Sequence, residues 1–311
     1  MPRVSLDVKR RRVAAGFRAL AAGVFVLLVF GATVRVHGAG LSCPDWPLCF
    51  GEVVPELDFH VFLEWGHRVL ASVVSVVFLG LAVVVGWDPA LRALAGRWVL
   101  GAGLVLAAQI VLGGLTVLQL LADWSVTLHL LTGNLFLWCI NSLAIVVADR
   151  RGFGQVTPAL RTATLVLLGA WFLQMGLGGY VSSNHAGTAC SEWPSCNGGV
   201  WFPTFSGIVG LQVFHRLGAY VVTVLAAAFL ALAWSDPALR RYAIGVTGLV
   251  AVQIGLGVTN VLLGLPVETA VAHSAVGDLL GVVLTFAAWN VVRRPVFRPG
   301  AAARVGALGR A

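Results

Sequence analysis

Charged residues are scarce in this chain. They make up 11% of its 311 residues, whereas hydrophobic residues make up 59% and the mean hydropathy is +0.90. Soluble domains carry about 25% charged residues, so this composition excludes an ordinary soluble protein. In place of polar surface the chain has eight apolar runs of about 20 residues, the length of helix that crosses a bilayer.

These runs predict eight transmembrane helices, because backbone polar groups inside a bilayer must bond within their own segment. The first run follows a basic cluster but lacks a clear small-residue cleavage site and is too long for the apolar core of a signal peptide, so we expect it to span as well. The predicted spans are roughly 17–36, 62–86, 98–119, 126–148, 163–183, 208–233, 242–264 and 269–292.

The net charge of +8 is unevenly distributed along the chain. Of the 21 Lys and Arg residues, 18 lie in the two tails and in the loops that share a side with them when there are eight spans. The positive-inside rule then predicts a bacterial plasma-membrane protein with both termini cytoplasmic. The charge therefore sets topology and gives no reason to expect a nucleic-acid partner. The three exceptions, at the outer ends of helices, are Arg35, Arg68 and Arg216.

Short motifs recur in the two halves of the chain. Asp88–Arg92 has the same sequence as Asp236–Arg240, and Gln109–Gly113 resembles Gln253–Gly257. The predicted fold class is an all-α integral membrane protein whose eight transmembrane helices form two tandem four-helix bundles, related as a parallel repeat. The predicted segments are a cytoplasmic tail (1–16), a first half (17–148), a cytoplasmic linker (149–162), a second half (163–292) and a cytoplasmic tail (293–311).

Four histidines occupy matching positions in the two halves. His67 and His215 are 148 residues apart, and His129 and His273 are 144 apart. Histidine is costly in a bilayer and is seldom kept there without a role. One pair on facing helices of each half predicts two bis-histidine sites, and the usual occupant of such a site in apolar helices is haem.

Further residues near the histidines predict contacts to the haem. Gly133 and Gly277 follow the second histidine of each half by four residues, on the same helix face, and leave room for a porphyrin edge. The three outer arginines, Arg35, Arg68 and Arg216, are candidates to pair with the haem propionates.

The two halves differ next to the first histidine. Glu64 precedes His67 by three residues, and Gln212 precedes His215 by the same spacing. We interpret this as a difference in function between the halves. Glu64 transfers protons or stabilises a cation-like intermediate, whereas the haem of the other half only transfers electrons or has a structural role. The alternative is that Glu64 is merely a residue of the membrane interface. Asp278 is a further ionisable group opposite Asn134, where a hydrogen-bonded contact between helices is the simpler interpretation.

Three glutamines, each four residues before a glycine, are interpreted as polar contacts between helices. They are Gln109, Gln174 and Gln253.

The cysteines form two C-x5-C pairs, each enclosing an acid-Trp-Pro core in a predicted outer loop. Neither pair has neighbouring ligands arranged as in a zinc finger. On the oxidising side of a membrane the pairs predict the disulfides Cys43–Cys49 and Cys190–Cys196. Whether a pair is structural or redox-active stays open at this point, and Cys139 is a small core residue.

Together these residues resemble haem A synthase, over roughly residues 15–295. The resemblance implies oxidation of a methyl group of haem O to a formyl group, through successive hydroxylations, for cytochrome oxidase assembly. It implies that His67 and His129 flank the substrate haem O with Glu64 as the essential acid. It also implies that His215 and His273 ligate a retained haem B.

The resemblance carries further expectations. The Cys43–Cys49 pair is associated with activity in family members that have it, and the second pair is structural. Expected partners are haem O synthase, cytochrome oxidase assembly factors, and a membrane quinone or another electron carrier.

Three other functions are compatible with parts of the sequence. A bis-haem b electron carrier explains the four histidines but gives no reason for Glu64 in one half only. A membrane thiol oxidoreductase explains Cys43 and Cys49 but leaves the histidines without a role. A transporter is permitted by the repeat, yet the chain lacks broken helices and midplane charge pairs.

Overall fold

The computed structural model of the protein describes residues 2–148 and 154–297. Within these residues the regular secondary structure is helical, apart from isolated β-bridges. Eight of the helices are long and apolar enough to cross a membrane, which confirms the predicted all-α, multi-pass membrane class. They are α1 (Pro2–Val36), α2 (Phe59–Trp87), α3 (Pro89–Leu118), α4 (Asp123–Ala148), α5 (Pro158–Ser183), α6 (Gly207–Ala233), α7 (Pro237–Leu262) and α8 (Val267–Arg293).

The helices extend beyond the predicted spans. Helix α1 begins at Pro2, so most of the segment predicted as a tail (1–16) is helical, and α5 takes in the end of the predicted linker (149–162). The apolar run marks only the part of a helix that matches the bilayer, and polar turns continue it on either side. Residues 149–153 of the linker and residues 298–311 of the predicted tail lie outside the described residues.

The recurring Asp-Pro motif begins a helix in both halves. The Asp88 carboxylate accepts hydrogen bonds from the second and third amides of α3, at 3.0 and 3.2 Å. Asp236 does the same in α7, at 3.1 and 3.2 Å. Proline occupies the first helical position in each case, where an N–H would have no hydrogen-bond partner within the helix. The motif therefore fixes the tight turns between α2 and α3 and between α6 and α7.

Each group of four consecutive helices packs as a square. Helices α2 and α4 both pack against α1 and α3, so they occupy opposite corners; α6 and α8 are related in the same way around α5 and α7. One large buried cluster draws its residues from α1–α4 and includes Phe17 and Ile140. The other is built on α5–α8, around Phe229 and Leu284. The two groups meet along α1, α4, α5 and α8, while their relation as a tandem repeat stays a prediction.

Indole groups anchor the central helices. The Trp171 Nε1 on α5 donates to the Gly277 carbonyl on α8 at 3.0 Å, and the Trp289 Nε1 donates to the Ser142 hydroxyl on α4 at 2.9 Å. These bonds satisfy two indole N–H groups for which the lipid interior offers no water as a partner. The Trp171 ring also occupies the position that a Cβ at Gly281 would take.

We expect Gly281→Ala to destabilise the protein by about 1–3 kcal/mol, because the added methyl collides with the Trp171 ring. Gly248→Ala in α7 is the matched control, since nothing lies within 4 Å of a Cβ there. Thermal unfolding of the two variants in detergent tests this. Equal midpoints for both would contradict the packing described here.

Candidate haem-binding sites

Each of the four predicted histidines lies against a glycine of the preceding helix. The edge of the ring that carries Cε1 approaches the helix backbone so closely that a Cβ on the glycine would force it away. The four pairs, with the distance from Cε1 to an ideal Cβ, are Gly31 with His67 (3.0 Å), Gly113 with His129 (3.1 Å), Gly178 with His215 (3.1 Å) and Gly257 with His273 (3.2 Å).

The histidines of each half lie on helices of the same square, while haem ligation by the two pairs stays a prediction. His67 lies on α2 and His129 on α4, the helices at opposite corners of the first square. In the second square the ring centroids of His215 and His273 are 6.5 Å apart. Two imidazole–metal bonds of about 2 Å each, together with the distance from each ring centroid to its metal-binding nitrogen, span about this separation.

The ring nitrogens also fit a haem. The Nδ1 atoms of His67, His129 and His273 are buried without a hydrogen-bond partner, which is uncommon for a polar atom in a protein interior. Among the described residues, no group of three or more His, Cys, Asp and Glu side chains is placed to hold a bare metal ion. A metal that brings its own equatorial donors, as haem does, needs only two axial imidazoles.

The predicted role of Gly133 and Gly277 needs correction. A Cβ at Gly133 would lie 2.9 Å from Leu28 and 3.1 Å from the Gln109 amide. At Gly277 the corresponding neighbour is Met175, at 3.1 Å. These two glycines therefore make room for side chains of adjacent helices. The helix backbone that contacts the imidazoles belongs instead to the four glycines paired with the histidines.

The two predicted disulfides are present. Cys43 is bonded to Cys49 and Cys190 to Cys196, with all four side chains buried, and this excludes zinc ligation by either pair. The sulfur atoms have no free valence for a metal while bonded to each other. Both pairs close a short loop at the end of the bundle where the histidines lie.

Arg68 bonds to the first disulfide loop. Its Nη1 donates to the carbonyls of Asp45, at 2.7 Å, and Leu48, while Nη2 donates to the Cys43 carbonyl at 3.3 Å. Nη2 also forms an ion pair with Glu64 at 2.6 Å. The guanidinium group therefore fixes the loop to α2, and propionate pairing by Arg68 stays a prediction without support from these contacts.

Arg216 makes the equivalent contacts in the second half. Its Nη1 donates to the Ser195 carbonyl at 2.8 Å, and its Nη2 donates to the carbonyls of Glu192 at 2.8 Å and Cys190 at 3.4 Å. The fan of donors on a guanidinium group suits several carbonyls at once, whereas a lysine ammonium acts as a point charge. Arg216 thus holds the second disulfide loop to α6.

Carboxylates hold each loop from within. The Gly51 amide, 2.8 Å away, and the Phe50 amide, 2.6 Å away, keep the pKa of Asp45 below its usual range. The Ser195 hydroxyl, at 2.7 Å, together with two backbone amides, lowers the pKa of Glu192. Because the folded-state pKa is the lower one, this stabilisation is present above the ordinary carboxyl pKa and is lost as pH falls through the folded-state value.

The Glu64 and Gln212 side chains have different partners. Both are about 95% buried, with relative exposures of 5%. One Glu64 oxygen forms the ion pair with Arg68, and the other accepts a hydrogen bond from the Cys43 backbone N–H at 2.8 Å. Gln212 donates to the Gly187 carbonyl at 3.1 Å, and its own Oε1 has no partner. Glu64 therefore links the histidine helix to the disulfide loop and is not merely interfacial.

The third outer arginine lies between the two halves. Arg35 on α1 donates from Nη2 to the Ser274 hydroxyl on α8 at 3.1 Å, next to His273, and interacts electrostatically with Asp278. Asp278 faces Asn134 of α4, as predicted, in a small void between α4, α5 and α8. These groups place a charged and polar cluster at the boundary between the halves.

Sequence reasoning missed the contacts between glutamines and histidines. The Gln174 amide nitrogen lies 3.1 Å from the Nδ1 of His215, and that of Gln109 lies 3.4 Å from the Nε2 of His129. Each glutamine precedes its ring-contacting glycine by one helical turn, and that spacing was the available signal. The interpretation as general contacts between helices was therefore incomplete.

We expect Arg216→Lys to increase amide hydrogen exchange in the segment 189–200 by about tenfold or more, because hydrogen bonds to a charged group contribute about 1.5–3 kcal/mol each. A lysine cannot reach three carbonyls in this geometry. The matched control is Arg241→Lys at the opposite end of the bundle, where the side chain lies over the Tyr242 ring. The same exchange in both variants would show that Arg216 does not hold the loop.

The chain is similar to known proteins over most of its length. The model of a family described as cytochrome oxidase assembly protein (COX15-CtaA) matches residues 17–285. A heme A synthase of Methylobacterium radiotolerans is 31% identical, with 86% of each chain covered. A heme A synthase of Shewanella oneidensis is 30% identical over 84% of this chain and 92% of its own. One from Symbiobacterium thermophilum is 30% identical over 81% and 86%.

Proposed function

Because this chain belongs to the COX15-CtaA family of cytochrome oxidase assembly proteins, we propose that it oxidises a methyl group of haem O to the formyl group of haem A. The resemblance to haem A synthase stated from the sequence is confirmed by the family match and by the relatives. The reaction proceeds by successive hydroxylations, after which the gem-diol loses water. The haem A formed serves the assembly of cytochrome oxidase.

The observation that carries the proposal is the unequal environment of two similar histidine pairs. Both pairs lie against glycines, but only the first has a buried carboxylate within one helical turn, at Glu64. Gln212, in the matching place, cannot accept or release a proton at neutral pH. We therefore assign haem O to His67 and His129.

The second pair is the proposed site of a retained haem B. The ring centroids of His215 and His273 are 6.5 Å apart, and these two imidazoles would hold the haem iron. Bound there, haem B supplies one-electron transfer. The protein contributes the two imidazoles, and the partly buried Arg35 beside His273 is the remaining candidate to pair with a propionate.

Glu64 is the proposed acid of the first site. Its carboxylate is held in place by the Arg68 guanidinium and the Cys43 N–H, so it needs no reorganisation during the reaction. From this position it stabilises positive charge developing at the methyl carbon or accepts the protons released there. In this proposal water supplies the oxygen atom of each hydroxylation, and the two electrons released pass to a membrane quinone or another membrane carrier.

The first disulfide loop has a direct connection to this site. Cys43 supplies the N–H that binds Glu64, and the Trp46 indole lies over Gly114, with 3.1 Å to an ideal Cβ, next to the glycine that contacts His129. The loop thus positions the acid and covers the end of the bundle. We propose that this explains the association of the Cys43–Cys49 pair with activity, and that Cys190–Cys196 is structural.

The proposed orientation in the bacterial plasma membrane follows from charge. The disulfide loops and the histidines share one end of the helices, and the basic tails and basic loops share the other. The positive-inside rule places the termini in the cytoplasm and the disulfides outside. Haem O synthase and cytochrome oxidase assembly factors are the proposed partners.

The first test is the haem content of cells that make haem O synthase, with and without this chain. We expect haem A, or its hydroxylated precursor, only when the chain is present, identified by chromatography and mass of the extracted haems. Unchanged haem O together with two copurifying haem B molecules would contradict the proposal and indicate an electron carrier.

We expect Glu64→Gln to lower haem A formation by about 10²–10⁴-fold, the usual contribution of a positioned acid or base. The variant keeps the side-chain shape but loses the charge that pairs with Arg68. Glu56→Gln, an exposed acid of the same loop, is the matched control and should leave haem A formation unchanged. Normal haem A formation by Glu64→Gln would exclude its catalytic role.

A further inference from the structure

Matching segments join the two disulfide loops to the helices that follow them. Val53–Asp58 precedes α2 and Trp201–Ser206 precedes α6, and the two segments are 148 residues apart, as His67 and His215 are. Their sequences are Val-Val-Pro-Glu-Leu-Asp and Trp-Phe-Pro-Thr-Phe-Ser. Proline is common to both, but the second segment has an aromatic residue for each aliphatic one and a hydroxyl for each carboxylate. The two segments therefore occupy the same place in each half with different chemistry.

The aromatic residues of the second segment form a row that ends on α6. Consecutive ring centroids in the row are 5.5–6.4 Å apart, and its members are Trp201, Phe202, Phe205 and Phe214. Each of the four side chains is 46–56% exposed. The exposed surface continues along the same face of α6 at Val221, two turns beyond Phe214. One apolar surface therefore runs from the loop onto the membrane-spanning helix.

A glycine lets the second segment lie directly against α6. A Cβ at Gly210 would be 2.2 Å from the carbonyl carbon of Phe205 and 2.7 Å from its carbonyl oxygen, so the backbone of the segment touches the first turn of the helix. The residue in the matching place of the first half is Phe62. A side chain of that size leaves no room for the same backbone approach to α2. The close packing along the helix is therefore a property of the second half.

The contact between Phe205 and Phe214 sets the depth of the row. Phe214 lies seven residues after the start of α6, which is about 10 Å along the helix axis. The 27 residues of α6 extend about 40 Å, whereas the hydrocarbon core of a bilayer is about 30 Å thick. With α6 centred in the bilayer, Phe214 lies just inside the hydrocarbon. Phe205, in contact with it, then lies at the boundary with the headgroups.

The second segment carries no charge that would oppose burial in lipid. Residues 197–214 include no Asp, Glu, Lys or Arg, whereas the first segment contains Glu56 and Asp58. The Thr204 hydroxyl accepts a hydrogen bond from the Ser206 N–H at 3.2 Å and lies 3.0 Å from the Ser206 hydroxyl. These polar groups are bonded within the segment, so they need less water than a carboxylate does.

We propose that Trp201–Phe205 binds the bilayer, with its aromatic rings between the headgroups and the acyl chains of the leaflet at this end of the helices. Aromatic side chains are enriched at that depth, because the indole combines an apolar ring with a polar edge. The lipid that covers the exposed face of α6 covers the row as well, since the two surfaces are continuous. The carboxylates of Val53–Asp58 keep the matching segment in water.

Fluorescence quenching of Trp201 tests the proposal. The full-length protein is placed in phosphatidylcholine nanodiscs, and the emission of Trp201→Phe is subtracted from that of the wild type to isolate one of the 11 tryptophans. One quencher is phosphatidylcholine with bromine on the acyl chains close to the headgroup, and the other is acrylamide in the water. We expect the brominated lipid to quench most of the Trp201 emission and acrylamide to quench little of it.

The first segment supplies the matched control. Val53→Trp places an indole at the position that corresponds to Trp201, on a side chain that is 76% exposed. Its emission is isolated by subtracting that of the wild type. We expect the reverse result, in which acrylamide quenches the added indole and the brominated lipid leaves it unchanged.

Strong quenching of Trp201 by acrylamide with none by brominated lipid would overturn the proposal and would indicate a surface open to a partner protein. Emission that neither quencher reduces would also overturn it, because the indole would then be covered by protein. So would equal quenching of Trp201 and of the added indole by brominated lipid, since the two segments would then lie at the same depth.

Discussion

The contact between an imidazole ring and a helix backbone at a glycine determines how the histidine helices are oriented. Within lipid there is little hydrophobic drive to bring helices together, so close backbone packing and polar contacts decide which faces meet. A glycine lets the ring edge reach the backbone, as at Gly31 and Gly178. The ring is thereby held against the preceding helix of the same four-helix square.

The arginines beside the histidines extend this arrangement to the loops. Arg68 and Arg216 direct their donors to carbonyls of the disulfide loops, which have no strand or helix to bond them. Each loop is therefore fixed to the same helix that carries the first histidine. In the first half this geometry also aligns the Cys43 N–H with Glu64. Hydrogen bonds and an ion pair therefore join Glu64, Arg68 and the first disulfide loop on the helix that carries His67.

Hydropathy and spacing were sufficient to predict the eight spans and both disulfides. Bilayer thickness fixes span length, and C-x5-C pairs leave few alternative bonds. The contacts of Arg68, the filled space over Gly133 and the pairing of Gln174 with His215 were not predicted. They depend on how each helix is rotated about its axis, and an apolar sequence hardly encodes this, because lipid-facing and core-facing positions are both apolar.

The difference between the two halves lies next to the first histidine. Glu64 carries a charge that is bonded to Arg68 and to the Cys43 N–H, whereas Gln212 in the matching position is uncharged and donates to the Gly187 carbonyl. In the proposed function this one difference distinguishes the site that handles protons from the site that retains its haem. The glycine contacts of the histidines and the arginine contacts of the loops are present in both halves, so the distinction needs no change in the helices.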